Sequence, residues 1–180
     1  MSEIEVPLEQ VQESLQEHAV HSHGDRLMMR IALTSAFLAA LAAVAALLAG
    51  HHSNEAMLEQ LHASDQWGYY QAKGIKAAVL GTKHDLLKAL GKSPSEKDVE
   101  KMAEYRAEQE DIKKEAEHKE AEAQSHLRQH VVLARSVTMF QVAIAIGAIS
   151  ALTRKRRFWL VSMAFGFMGI AFLLQGLLTH

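Results

Sequence analysis

The fold class is decided by residues 31–50, which read IALTSAFLAALAAVAALLAG. These twenty residues include no charge, and only Thr34 and Ser35 are clearly polar. As an α-helix they would cover about 30 Å, the thickness of the hydrocarbon core of a bilayer. A signal peptide is the competing interpretation, but the preceding segment is long and acidic and the apolar run exceeds the usual length. We therefore predict an uncleaved transmembrane helix.

Two further apolar stretches lie towards the C-terminus, at residues 131–152 and 158–178. Arg135 lies near one end of the first stretch, where its stem can be buried while its guanidinium reaches the headgroups. Trp159 opens the second, as an interfacial aromatic anchor would. The sequence predicts an all-α protein with three transmembrane helices, and the lipid bilayer is its first expected partner.

Basic residues flank these spans asymmetrically. Arg26 and Arg30 precede the first, and the second and third are joined by Arg154, Lys155, Arg156 and Arg157. The positive-inside rule assigns both groups to the cytoplasm. We predict a cytoplasmic segment at residues 1–30, which contains a short amphipathic helix, and a basic cytoplasmic loop at residues 153–157. Residues 51–130 and the C-terminus then lie on the opposite side.

The intervening region is strongly charged and has one break, LGKSPSE at residues 90–96. Gly91 can close a helix in the left-handed conformation. Ser93 as N-cap, Pro94 at the first helical position and Glu96 in a capping box predict the start of the next helix. We expect one helix to end at the break and another to run from it into the second span.

The two predicted helices carry matching stripes. The stripe on the second has a three–four spacing typical of a coiled-coil seam, in Met102, Tyr105, Gln109, Ile112, Ala116, Lys119, Ala123 and His126. The stripe on the first contains Trp67, Tyr70, Gly74, Ala77, Leu80 and Leu87. We predict a long antiparallel, coiled-coil-like hairpin. Splayed arms that pair with neighbouring subunits are the alternative.

A hairpin centred on Lys92 makes residue pairs explicit. The expected neighbours are Leu61 with Ala123, Asp65 with Lys119, Ala72 with Ile112, and Val79 with Tyr105. Apolar burial around Val79, Leu80, Met102 and Tyr105 should hold the arms together.

The stretch ASDQWGYYQAKGIK at residues 63–76 is distinctive, and so is its place after a first span preceded by a His-rich segment. The chain resembles a bacterial membrane-protein family catalogued as a domain of unknown function, number four-three-three-seven. The motif residues are Asp65, Gln66, Trp67, Tyr69, Tyr70, Gln71 and Lys73. The resemblance implies a protein of the bacterial inner membrane, with residues 51–130 in the periplasm, and brings no known activity.

Residues that could support chemistry are few. There is no Cys, no phosphate-binding loop and no nucleophile elbow, so we expect neither an enzyme nor a cofactor. A net charge of −2 gives no case for nucleic acid. The predicted topology gathers His51, His52, His126 and His130, weak candidates for a metal or pH-sensing site. Hydrated interfacial histidines are the simpler interpretation.

These features favour a structural or interaction protein, and the alternative is an oligomeric ion- or metal-handling or pH-sensing protein that uses the histidine group. Ala143, Gly147 and Ala151 form a small-residue stripe that lets membrane helices approach closely, within one chain or between subunits. We expect a homo-oligomer or a partner in a membrane complex.

Overall fold

The computed structural model describes residues 26–178, and it has three α-helices and no strand in that range. They are α1 (Arg26–Ala89), α2 (Glu96–Thr153) and α3 (Arg156–Leu178). Each contains a stretch long and apolar enough to cross a membrane. The all-α prediction is therefore confirmed. The predicted amphipathic helix near the N-terminus lies outside the described residues.

The described chain divides into two compact units. The first, here the apolar unit, consists of residues 26–52 and 128–178. The second, here the paired arms, consists of residues 53–127. Helix α1 continues without interruption through residues 51–55, although the sequence there turns from apolar to polar. Gly50 therefore lies within the helix and does not end it.

The apolar unit is held by large side chains of α1 and α2 that pack against small residues of α3. The face of α3 that is buried consists of Ser162, Gly166, Gly169, Leu173 and Gly176. A Cβ atom on Gly169 would lie 2.6 Å from ring carbons of Phe140, and one on Gly176 would lie 2.7 Å from Leu133. The glycines therefore form the sockets for these side chains.

Two serines connect α2 and α3 by hydrogen bonds in the same unit. Ser136 of α2 donates to the carbonyl of Gly169 at 2.8 Å, and Ser162 of α3 donates to the carbonyl of Ala143 at 2.6 Å. Both serines are buried. Burial alone does not favour one pairing of apolar helices over another. Hydrogen bonds of this kind therefore stabilise a particular pairing.

Gly147 lies where the three helices of the apolar unit meet. A Cβ atom there would be 3.2 Å from the Ser35 hydroxyl and 3.4 Å from the Ser162 hydroxyl. Ala143 and Ala151, its neighbours in the stripe, are also buried. The close approach that this stripe permits is thus used within one chain, and it offers no support for contact between subunits.

The connection between α2 and α3 is shorter than the five-residue loop expected at residues 153–157. Only Arg154 and Lys155 lie between the helices, while Arg156 and Arg157 belong to α3. Arg154 has a φ of 52°, the left-handed conformation that allows so tight a reversal. The Ser150 hydroxyl donates to the carbonyl of Lys155 at 3.1 Å and fixes the turn.

Helix α1 ends as its sequence predicts. Gly91 has a φ of 68°, its amide donates to Lys88, and the next amide, of Lys92, donates to Leu87 at 2.8 Å. These two bonds form a Schellman motif.

The start of α2 was predicted wrongly. The first helical residue is Glu96, and the amides of Asp98 and Val99 donate to the carbonyl of Ser95. Ser95 is therefore the N-cap residue, rather than Ser93. Two serines flank Pro94, and the one that follows it caps the helix, so that the proline precedes the cap instead of opening the helix.

Candidate functional site

The family-like motif of residues 63–76 lies on α1 within the paired arms, and part of it faces α2. The Trp67 indole donates a hydrogen bond of 2.8 Å to the Glu120 carboxylate. Its ring also meets Tyr70 edge to face, with centroids 5.5 Å apart. Trp67 thus supplies apolar area to the contact between the arms and, in the same place, a polar link to α2.

Lys73 is the most buried charged group of the motif, at 8% exposure. Its ammonium forms an ion pair with Glu108 of α2. The Tyr69 and Tyr105 rings lie 5.2 and 5.0 Å from the ammonium, within the range of cation–π attraction. The hydrogen bond with Glu108 is the largest of the effects that raise the pKa of Lys73, and it outweighs the opposing effect of desolvation. The lysine is therefore held protonated.

Gly74, the residue after Lys73, permits a second polar link between the two helices. The Gln109 side-chain amide donates to the backbone carbonyl of Tyr70 at 3.0 Å. A Cβ atom on Gly74 would lie 2.7 Å from that amide nitrogen. Only glycine leaves room here for the glutamine to reach the α1 backbone without a shift.

Lys119 of α2 has a different partner from the one expected. Its ammonium lies 3.0 Å from Glu59 and 2.8 Å from Glu122, while Asp65 is exposed. The hydrogen bond with Glu122 is the main cause that raises the pKa of Lys119, and Glu59 contributes next. The same bond lowers the pKa of Glu122.

The other expected pairs are also wrong, because their α1 members lie on the face of α1 that is turned away from α2. Val79 is 62% exposed, and Tyr105 contacts Lys73 and Lys76 instead. Leu61 and Ala72 are exposed as well. Positions 61, 65, 72 and 79 lie two residues after positions 59, 63, 70 and 77, hence about 200° around the helix. Counting from the turn gave pairs that ignored which face of α1 meets α2.

The motif therefore divides into an inner and an outer part. Trp67, Tyr70 and Lys73 are buried or half-buried, and Gln66 is half-buried. Asp65, Tyr69 and Gln71 are exposed. The eight residues of the seam predicted on α2 are all buried or half-buried. The polar groups of Trp67 and Lys73 bond to carboxylates of α2, so the inner part of the motif links the two helices.

The histidines do not assemble a metal site among residues 26–178, where no group of three suitable side chains could hold an ion. The His51 and His52 rings are 5.4 Å apart. His130 lies 2.8 Å from the Ala49 carbonyl through its Nδ1.

The six basic residues that carry the topology prediction are all exposed: Arg26, Arg30, Arg154, Lys155, Arg156 and Arg157. None forms an ion pair with a carboxylate within the part of the chain that the structure describes. Arg156 and Arg157 occupy the first turn of α3, where cations oppose the helix dipole.

The fold and the site together define the class of protein. Over the described residues it is all-helical, with three helices apolar enough to cross a membrane and a charged pair of arms that are bonded to each other. The chain belongs to the family described as "Domain of unknown function (DUF4337)", whose model matches residues 27–179. The resemblance noted from the sequence is thereby confirmed. No curated protein matches the chain significantly, and no solved structure does.

Two features of the structure, one in the apolar unit and one in the site, were not predicted from the sequence. The glycine sockets of α3 have a three–four spacing at Ser162, Gly166, Gly169, Leu173 and Gly176, and that spacing was the available signal. The partners of Trp67 and Lys73 on α2 had no signal of their own, because glutamates recur throughout residues 96–122 of that helix.

Proposed function

We propose that this protein is a structural or interaction protein of the bacterial inner membrane. Its three apolar stretches cross the membrane, and residues 51–130 form an antiparallel helical hairpin in the periplasm. It works as a homo-oligomer or as a component of a membrane complex, and it has no enzymatic activity.

The ion pair between Lys73 and Glu108 is the observation that carries this proposal. The most buried charge of the motif is bonded across the arms, and Trp67 is bonded in the same way to Glu120. Motif residues that stabilise a helix pair, instead of presenting a reactive group, are what a scaffold or docking element requires.

The basic residues support the orientation. Arg156 and Arg157 occupy a position that is unfavourable for a helix, so their placement calls for a cause outside helix stability. Retention of the short connection in the cytoplasm is such a cause.

Accessibility of single cysteines tests the topology, and the chain has no cysteine of its own. In intact spheroplasts, Lys92→Cys should react with a membrane-impermeant maleimide, and Lys155→Cys should react only after lysis. The reverse pattern would overturn the orientation.

Purification in a gentle detergent tests the interaction role. Mass determination should give a particle larger than one chain, or a stoichiometric co-purifying protein. A monomer without any partner would refute it.

A further inference from the structure

The outward face of α1 in the paired arms carries a second stripe, here the outer stripe. Its apolar members are Leu58, Leu61, Ala72, Ile75, Val79 and Leu86. Asp65, Gly68 and Thr82 fill the remaining positions, so that the spacing alternates between three and four over nine residues. Each position lies two residues after an inner one such as Ala63 or Ala77, which is about 200° around the helix.

The outer stripe is exposed. Leu58 is 50% exposed, Leu61 59%, Ile75 65% and Leu86 61%. A Cβ atom on Gly68 would have no neighbour within 4 Å. Five large apolar side chains are thus exposed on one face of the helix, and apolar residues grouped in this way, unlike scattered ones, mark an interaction surface.

The part of α2 in the paired arms is much more acidic than the part of α1. Residues 96–127 contain eleven Asp or Glu and six Lys or Arg, and Val99 and Leu127 are the large apolar residues exposed there. Residues 53–89 contain four acidic and four basic residues. Two copies of the chain would therefore repel each other through α2, whereas their α1 arms carry no net charge.

We propose that a second copy of this chain docks on the outer stripe, with the two α1 arms in parallel and in register. This rests on the proposed function, because chains inserted in one membrane with one orientation present the stripe at the same height. Seam residues with alternating three–four spacing pack best against a helix that has the same repeat. An identical copy supplies it, whereas the charged face of α2 does not.

The positions that flank the outer stripe are compatible with this pairing. In a parallel pair, Gln71 would face Lys76 of the other copy, and Ala78 would face Lys83. Asp85 would face Leu90 of the other copy. No like charges meet at these flanks.

Inside the stripe, however, like charges do meet, because Asp65 would face Asp65 of the other copy. A charged residue in a seam reduces the strength of association while it restricts the register. The pairing is therefore expected to be moderate in strength, and replacement of Asp65 by an apolar residue should strengthen the association.

Disulfide trapping in native membranes tests the proposal. Ile75→Cys should form a disulfide-linked dimer under mild oxidation. Ala107→Cys is the matched control, because this residue is exposed on α2 next to Glu108, the partner of Lys73. We expect at least a five-fold higher dimer yield from Ile75→Cys. Equal yields, or an adduct with a different protein only, would overturn the proposal.

Two variants of the Ile75→Cys chain separate the pairing from the fold. Asp65→Leu should increase the dimer yield. Val79→Glu should reduce it several-fold with unchanged helicity, because Val79 has no role in the contact between the arms. A Val79→Glu variant that still crosslinks fully would contradict the proposal. Topology labelling is independent of these yields, so a failed pairing with correct labelling would leave the proposed location intact.

Discussion

Lys73 on α1 is paired with Glu108 on α2, and the lysine is largely shielded from water. Removal of the ammonium would leave a carboxylate in the contact without its counter-charge, which destabilises more than the loss of an exposed pair. We predict that Lys73→Met lowers the melting temperature of the detergent-solubilised protein.

Lys113→Met is the matched control for this prediction. Lys113 forms a long, exposed pair with Glu117 on the same helix at 3.8 Å. Exposed pairs of this type contribute little, so the control should melt within about a degree of the wild type. Equal shifts for the two variants, measured by circular dichroism, would contradict a special role for Lys73.

Gly169 should tolerate no larger residue without loss of stability. In Gly169→Ala the new methyl group would meet the Phe140 ring, which is fully buried and cannot move away freely. Overpacking of this kind costs about 1–3 kcal/mol. The double variant Gly169→Ala with Phe140→Leu should recover part of the loss. Gly50→Ala, with no atom within 4 Å of the added carbon, should be neutral or slightly stabilising.

The turn between the arms depends on the left-handed conformation of Gly91. A β-carbon in that conformation costs about 1–2 kcal/mol, and Asn tolerates the conformation better than other residues do. We predict that Gly91→Val destabilises the protein more than Gly91→Asn does. Identical thermal denaturation curves for the two variants would show that the turn can adopt another conformation.

The paired arms should lose stability in acid. The hydrogen bond from Lys119 lowers the pKa of Glu122 below its ordinary value of 4.5. Its stabilising contribution is therefore complete above that value and is lost as the pH falls through the lower pKa of the folded state. Lys119, whose pKa is raised above 10.5, contributes until the pH rises through its folded pKa.

The acid effect can be assigned with one variant. Lys119→Met should show a shallower decline in melting temperature between about pH 5 and pH 3 than the wild type. The difference should be small, because Glu122 is 40% exposed and solvent screens the pair. Parallel declines would assign the acid sensitivity to other carboxylates.

Local signals were the reliable ones in this sequence. The length of each apolar stretch predicted the three apolar helices, the conformational freedom of glycine predicted the helix end at Gly91, and the three–four repeat predicted the seam on α2 from Met102 to His126. The pairing of Asp65 with Lys119 failed, because register depends on the rotation of both helices and a position two residues away lies on the opposite face. The sockets of α3 depend on the large residues that fill them, and one helix alone does not reveal which residues those are.

The contacts of the paired arms enclose very different lengths of chain, and this determines the order in which they can form. Lys83 and Asp98 are 15 residues apart, Tyr70 and Gln109 are 39 apart, and Trp67 and Glu120 are 53 apart. Closing a loop costs more entropy as the loop lengthens, and each contact made near the turn shortens the loop for the next. We therefore expect the arms to form their contacts from the turn outwards. Substitutions at Gly91 should slow folding, whereas substitutions at Trp67 should mainly speed unfolding.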